Sequence, residues 1–183
     1  MKILASTLIA ALFFTSCNSN NNPNTSVKEN DIALTGGQSA VKDDLSQKNI
    51  VQVALGSPDH TTLVKGVQAA DLVNALSNAG PFTVFAPTNE AFEKLPAGTL
   101  DDLLKPGNKE ALANILEYHV SLGVYKTDVL QDGQVLGQVN GGNITISNKN
   151  GKIMIGNATV IASIPAANGI IHVIDNVLLP PAK

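Results

Sequence analysis

The chain has 183 residues, of which 44% are apolar, and its formal net charge at pH 7 is −3. This length and apolar content suit one soluble domain with a packed core, preceded by a leader and a tether. All 12 basic residues are lysine, aromatic residues make up 4% of the chain, and tryptophan is absent. Proteins usually bind phosphates and guanine through arginine guanidinium groups, and they stack bases on aromatic rings. Because this chain has no arginine and few aromatic residues, nucleic acid is not an expected partner.

Residues 1–16 predict a signal peptide for export. Met1-Lys2 supplies a short positive region, residues 3–14 form an apolar run, and small residues then lead to Cys17, the only cysteine. The run is about a dozen residues long, short of the roughly 20 that span a bilayer. The pattern resembles a bacterial lipoprotein signal, with Phe14 where leucine is common. We expect cleavage before Cys17 and lipidation of its thiol; the alternative is a free thiol in an uncleaved leader.

Residues 17–40 predict a flexible tether that begins at the lipidated Cys17. Asn, Ser, Thr and Gly dominate this segment, and its apolar residues are too scattered to form a face. A terminus without any role is the alternative. Removing residues 1–16 takes away Lys2 and no acid, so the mature formal charge is −3 − 1 = −4 and acyl chains must provide the anchoring. By resemblance to lipoprotein sorting rules, Asn18 favours an outer-membrane location in the cell envelope, and the periplasmic and outward faces both stay open.

The folded domain is expected to span residues 41–183, and the first part of it predicts short helices. Apolar residues recur there at helical spacing, and each stripe is expected to face the core rather than a cofactor. Proline and glycine divide the stretch into short elements joined by tight turns. The stripes are Ile50/Val53/Ala54, Leu63/Val64/Val67, Leu72/Val73/Leu76 and Leu112/Ile115/Leu116.

Residues 80–92 predict a buried strand that leads directly into a helix. The strand holds Phe82 and Phe85, and it alternates aromatic and β-branched side chains that suit a pleated, buried sheet. Thr88 is placed to cap the following helix, because a threonine oxygen can accept a free N–H of the first turn. Asn89 is expected to bond neighbouring backbone groups.

Beyond Gln131 the apolar pattern changes to a period of two, which predicts strands. Asn-Gly pairs at 140–141 and 150–151 supply the positive φ angles that tight hairpin turns require. A turn at 156–157 precedes a strand over 158–164, and a last strand is predicted from Ile170 to about Leu178. The second half is therefore expected to be a β-meander, and the chain carries no internal repeat.

Three segments taken together resemble one known family. They are residues 80–92, Tyr118-His119-Val120 and residues 168–180, in this order and spacing. Residues 47–181 are thereby similar to a single fasciclin (FAS1) domain. The resemblance implies an α+β fold, a compact antiparallel β-sandwich or meander with a layer of short helices packed on it. It also implies an adhesion protein displayed outside the cell, without catalysis or cofactor, whose partner is a protein or polysaccharide of the cell surface or matrix.

The resemblance makes Tyr118 and His119 candidate adhesion residues, because the matching region is associated with cell binding in some adhesion proteins of the family. The flanking Ile115, Leu116 and Val120 favour a structural role instead, in which Tyr118 packs in the core and His119 fixes the turn from helix to strand. Structural roles are expected for the other motif residues, which are Phe82, Phe85, Thr88, Asn89, Phe92, His172 and Asp175.

The three histidines are the only side chains suited to acid–base or metal chemistry near neutral pH, because the sequence has no cysteine pair, phosphate loop or serine-nucleophile motif. His119 and His172 lie in apolar runs and are expected to be buried and hydrogen-bonded. His60, beside Asp59, is expected to face solvent. Three functions stay open: a lipid-anchored adhesion or interaction module, which the resemblance favours, a binding protein for a small apolar ligand, and a histidine-dependent metalloprotein.

Overall fold

The computed structural model of the chain describes residues 47–149 and 151–181. The predicted signal peptide, Cys17, the tether and residues 41–46 therefore lie outside the described residues. Within the described ranges, no helix combines the length and the apolar character needed to cross a membrane.

Six short α-helices lie in the described ranges, and four of them coincide with the apolar stripes of the sequence. Asn49 and Gln52 form a capping box at the first helix, each side chain accepting the other residue's N–H, at 2.8 and 3.0 Å. Thr88 caps the fourth, where its Oγ1 accepts the N–H of Ala91 at 3.3 Å. The helices are α1 (Ile50–Leu55), α2 (Thr61–Ala69), α3 (Val73–Ser77), α4 (Asn89–Glu93), α5 (Thr99–Leu103) and α6 (Lys109–Tyr118).

Seven strands lie in the described ranges: β1 (Phe82–Pro87), β2 (Val120–Leu122), β3 (Val135–Gly137), β4 (Asn143–Lys149), β5 (Lys152–Ile155), β6 (Ala158–Ala166) and β7 (Gly169–Ile174). They form one sheet in the order β2-β1-β7-β6-β5-β4-β3. The strands β4 to β7 pair with their chain neighbours in antiparallel fashion, which confirms the predicted meander.

The α+β class, with short helices packed on a sheet, is confirmed, but the sheet is mixed rather than wholly antiparallel. β1 and β7 run parallel, with Phe82 opposite Gly169 and Pro87 opposite Ile174. β7 also ends at Ile174, short of the predicted Leu178, because its neighbour β1 ends at Pro87 and the chain there turns into α4.

Two apolar clusters form the core on the two faces of β1. Val84 and Ala86 belong to the cluster under the helices, against which Phe82 and Phe92 pack half-buried. Phe85 belongs to the other cluster, which the strands enclose, and it has no exposed surface. Successive residues of a strand point to opposite faces, so β1 is buried on both sides.

Asn168 fastens the start of β7 to the helical layer. Its Oδ1 accepts the N–H of Ile50 at 2.9 Å, and its Nδ2 donates to the carbonyl oxygens of Leu76 and Asn78 at 2.8 and 2.9 Å. The buried Asn168 side chain therefore uses both hydrogens of its Nδ2 and one of the two lone pairs of its Oδ1. These bonds fix the position of Gly169, the first residue of β7.

Candidate functional site

The two end strands of the sheet, β2 and β3, meet and close it into a near-barrel. Ser121 of β2 bridges to Gln138, and the N–H of Val139 donates to the carbonyl oxygen of Val120 at 2.8 Å. We name the outward surface of this junction the seam face. It consists of Leu122, Val124, Val135 and Val139.

The seam face carries aliphatic side chains that point away from the core. Leu122 is 64% exposed and Val135 is 59% exposed, while Val124 and Val139 are also exposed. The antiparallel register of the junction places Val135 and Val139 diagonally on either side of Leu122, at distances of roughly 7–8 Å. Three aliphatic side chains therefore share one exposed surface, and Val124 follows two residues after Leu122 in the chain.

The polarity of this junction is the reverse of that in an ordinary surface strand. Thr83, Ser121 and Gln138 are buried, and the Ser121 hydroxyl donates to the Gln138 Oε1 at 3.1 Å. Thr83 Oγ1 donates to the carbonyl oxygen of Gly123 at 2.8 Å. Burying polar groups inside while exposing aliphatic groups outside gives folding no advantage, because apolar burial is the main stabilising term. A cluster of exposed aliphatic side chains is typical of an interaction site.

Tyr118 lies in the core next to the seam. Its side chain is 6% exposed, and its hydroxyl donates to the carbonyl oxygen of Asn143 at 3.0 Å. Its ring packs under Gly142 so closely that a Cβ at that glycine would lie 2.9 Å from the ring. Gly142 in turn accepts the N–H of Gln138 at 2.8 Å. Tyr118 thus connects the end of α6 to the backbone that carries the seam.

His119 joins α6 to β2, and its two hydrogen bonds fix its tautomer. The N–H of Leu178 donates to Nε2 at 3.0 Å, so the ring proton is on Nδ1, which donates to the carbonyl oxygen of Ile115 at 2.7 Å. Burial lowers the pKa of His119 to about 4, and the bond to Ile115 opposes this shift only in part. His119 is therefore neutral at pH 7.

The two adhesion candidates from the sequence are not part of any exposed surface. Tyr118 is 6% exposed and His119 is 2% exposed, so a partner could not contact them while the domain is folded. Both directly precede β2, the strand that carries Leu122, and their side chains bond Asn143, Ile115 and Leu178. Their part in adhesion stays a prediction, and it would act through the strand that they position.

The side chains of the seam face were not predicted from the sequence. A weak signal exists, because Leu122 and Val124 alternate with Ser121 and Gly123. The strands β2 and β3 have only three residues each, too few for periodicity to show which side faces inward.

His172 in β7 is neutral and has no exposed surface. The carbonyl oxygen of Tyr125 can only accept, so Nε2 donates to it at 2.7 Å, and Nδ1 accepts from the Ser163 hydroxyl at 2.8 Å. Burial lowers the pKa of His172, and the bond to Tyr125 partly offsets this. The ring stacks on Phe85 with 5.9 Å between centroids. These contacts match the buried, hydrogen-bonded role expected from the sequence.

Asn89 bonds backbone groups, as predicted, but its partners are distant in sequence rather than neighbouring. Asp175 also bonds a backbone group that is distant in sequence. Asn89 Oδ1 accepts the N–H of Thr62 at 3.0 Å, and its Nδ2 donates to the carbonyl oxygen of Pro58 at 2.9 Å. Asp175 Oδ1 accepts the N–H of Thr159 at 2.7 Å. Asn89 therefore clamps the turn before α2 onto α4, and Asp175 joins β6 to the end of β7.

The prediction that His60 faces solvent is wrong, since His60 is only 5% exposed. The clamp from Asn89 to Pro58 holds the short 3-10 turn that contains His60 against the rest of the domain. Its Nδ1 shares a hydrogen bond with the Ser57 hydroxyl at 2.8 Å, and burial lowers the pKa of His60. The buried Nε2 has no hydrogen-bond partner among the described residues.

The metalloprotein alternative finds no ligand set in the part of the chain that the structure describes. No group of three or more His, Cys, Asp and Glu side chains is placed there to hold a metal ion. Both ring nitrogens of His119 and of His172 are engaged in hydrogen bonds.

Comparison with known proteins gives matches of both sequence and fold. A family model described as the fasciclin domain matches residues 58–180. Protein sll1483 of Synechocystis is 53% identical over 137 residues, which cover 74% of this chain and 76% of that protein. Immunogenic protein MPB70 of Mycobacterium bovis is 37% identical over 145 residues, which cover 75% of this chain and 72% of that protein.

A solved structure shares the fold. A FAS1 domain pair from the insect cell adhesion molecule Fasciclin I superposes with a TM-score of 0.65 at 22% identity. The match covers 72% of this chain and 51% of that chain, as expected when one domain is compared with a pair.

Proposed function

Because the chain belongs to the fasciclin domain family, we propose that it is a lipid-anchored, extracytoplasmic adhesion module that binds a surface or matrix protein through the seam face and catalyses no reaction. The observation that carries the binding surface is the reversed polarity at the seam, with Ser121 and Gln138 buried and Leu122 and Val135 exposed. The fold that this chain shares with a domain pair of an insect cell adhesion molecule supports the adhesive role.

The chemistry of the seam face favours a protein over a polysaccharide as the partner. Its side chains are aliphatic and offer no hydrogen bonds to sugar hydroxyl groups, which would lose water without compensation. An apolar side chain of a partner protein would gain about 25 cal/mol for each Å² of apolar surface removed from water. The seam face would then be the dry centre of an interface whose rim is polar.

Leu122→Lys is expected to weaken capture of the partner at least about tenfold, because it places an ammonium group at the apolar centre of the interface. The mature chain is immobilised on beads and exposed to a dilution series of extract from the native cell envelope and matrix. Bound material is quantified by mass spectrometry and by sugar analysis. Extract treated with protease and extract treated with periodate separate a protein partner from a polysaccharide.

Ile161→Lys is the matched control for this substitution. Ile161 is 60% exposed, and its strand β6 is separated from β2 by β1 and β7. Protease-sensitive capture that Ile161→Lys retains and Leu122→Lys loses would support the proposal. Equal capture by Leu122→Lys and the unaltered chain, or capture that survives protease and disappears after periodate, would contradict it.

Cys17→Ser is expected to abolish the lipid anchor, because a serine hydroxyl does not replace the thiol as the acyl-bearing group. Cells that express the full chain are labelled with palmitate and fractionated on a density gradient. The unaltered chain should carry the label in the outer-membrane fraction, and Cys17→Ser should carry none. Ser19→Ala, two residues along the predicted tether, should label normally. Palmitate incorporation that Cys17→Ser does not reduce would contradict the anchor.

A further inference from the structure

A cavity of about 50 Å³ lies between the helical layer and the sheet and shares no residue with the seam face. The helices α1, α2 and α3 wall one side, and β1 and β7 wall the other. Most of the lining is aliphatic and includes Ile50, Leu63, Val67 and Leu116. Well-packed cores leave few voids of this size, so the cavity is a feature to be explained.

His60 lines this cavity, and its buried Nε2 is an unpaired polar atom. Its Nδ1 is bonded to the Ser57 hydroxyl, whereas no described residue makes a hydrogen bond to Nε2. Burial lowers the pKa of His60, and the Asp59 carboxylate and then the Ala86 backbone oppose this shift, but Nε2 makes no hydrogen bond to Ala86 or to another described residue. A buried polar atom without a partner destabilises the fold, and a native protein usually satisfies it.

A water molecule alone would satisfy His60 poorly. Buried waters typically make two to four hydrogen bonds, and a lining that is mostly aliphatic offers few partners besides Nε2. An apolar molecule with a single polar group would fit both parts of the site, since ligand pockets combine an apolar wall with a few placed polar atoms.

We propose that this cavity binds a small aliphatic molecule with one hydroxyl group, such as a short-chain alcohol, whose hydroxyl bonds to His60 Nε2. The Ser57 hydroxyl can donate to Nδ1 or accept from it, which leaves Nε2 as a donor or an acceptor respectively. A ligand hydroxyl suits both cases, whereas a carbonyl oxygen or an ammonium suits only one. The volume is about a third of the 150 Å³ cavity that admits benzene, so the ligand has only a few carbon atoms.

The first test is an NMR titration of the mature chain with 1-propanol. We expect saturable chemical-shift changes at the methyl groups of Leu63, Val67 and Leu116 and at Nε2 of His60, with a dissociation constant of about millimolar for so few ligand atoms. The comparison ligand is 1-chloropropane, which has the same chain and no hydroxyl. It should bind at least about fivefold more weakly, because it leaves Nε2 unpaired.

The second test uses His60→Leu, which should bind 1-propanol and 1-chloropropane with equal affinity. Asp59→Asn, an exposed neighbour of His60 that does not line the cavity, should keep the preference for 1-propanol. If His60→Leu does not fold, the chemical-shift change at Nε2 in the unaltered chain still tests whether the 1-propanol hydroxyl bonds to His60. Shifts that do not saturate, an Nε2 that does not move when the methyl groups are saturated, or equal binding of both ligands by the unaltered chain would each overturn the proposal.

Discussion

Replacing Gly169 with alanine is expected to lower the free energy of unfolding by about 3 kcal/mol or more, because the site has no room for a Cβ. Gly169 lies opposite Phe82 in the parallel pair of β1 and β7. A Cβ at Gly169 would overlap the carbonyl oxygen of Phe82 and lie 2.8 Å from its carbonyl carbon. Both are backbone atoms and cannot turn away as a side chain can. The two strands between the core clusters would have to separate.

Urea denaturation followed by circular dichroism measures this loss. Gly107→Ala is the matched control, because a Cβ at Gly107 would have no atom within 4 Å. Its free energy of unfolding is expected to stay within about 0.5 kcal/mol of the unaltered chain. A Gly169→Ala chain as stable as Gly107→Ala would contradict the close parallel pairing at Phe82.

Acidification from pH 7 to pH 4 is expected to lower the free energy of unfolding by about 3 kcal/mol through His119 alone. Its pKa in the folded domain is about 4, against an ordinary value of 6.5. The unfolded chain therefore binds the proton more readily than the folded one below pH 6.5. The contribution of His119 to stability is complete above pH 6.5 and is lost as the pH falls towards 4. The pKa values of His60 and His172 are also lowered by burial and act in the same direction.

His119→Gln separates this contribution from those of the other titrating groups. Glutamine does not titrate, and its amide oxygen can accept the N–H of Leu178 as Nε2 does. The variant is expected to lose about 3 kcal/mol less than the unaltered chain between pH 7 and pH 4. Urea denaturation curves at several pH values measure how the free energy of unfolding of each protein depends on pH. If the free energy of unfolding falls equally with pH in the two proteins, His119 does not titrate as its burial implies.

The fold was predictable where local spacing decides it. The stripe at Leu112, Ile115 and Leu116 predicts α6, and the two Asn-Gly pairs predict the hairpins that join β3 to β4 and β4 to β5. The parallel pairing of Phe82 with Gly169 was not predictable, because period-two spacing indicates which face is buried but not which strand lies alongside. That pairing depends on bonds from Asn168 to the helical layer, which no local pattern contains.

The environment of His60 shows the same limit. The local sequence Pro58-Asp59-His60 is polar and is typical of an exposed helix start. The bond from Asn89 to the Pro58 carbonyl oxygen, which joins residues 31 apart in the sequence, holds this turn inward. The burial of His60 is therefore set by a tertiary contact rather than by its neighbours in the chain.

The sequence left two interpretations open for Tyr118 and His119, a structural role and a role in adhesion. Both are buried and hydrogen-bonded, as a structural role requires. They also lie directly before β2, four and three residues before the exposed Leu122. In the proposed function, a substitution at this pair changes adhesion only if it displaces the seam face or unfolds the domain, and not by removing a contact with the partner.

The most direct measurement of this role is the affinity of Tyr118→Phe for the captured partner, taken together with its stability. The substitution removes only the hydroxyl that bonds the Asn143 carbonyl oxygen. We expect about 1 kcal/mol lower free energy of unfolding and, at a temperature where the variant is folded, an unchanged dissociation constant for the partner. A Tyr118→Phe chain that unfolds like the unaltered chain but no longer captures the partner would contradict the role of Tyr118 as a buried support of the seam face.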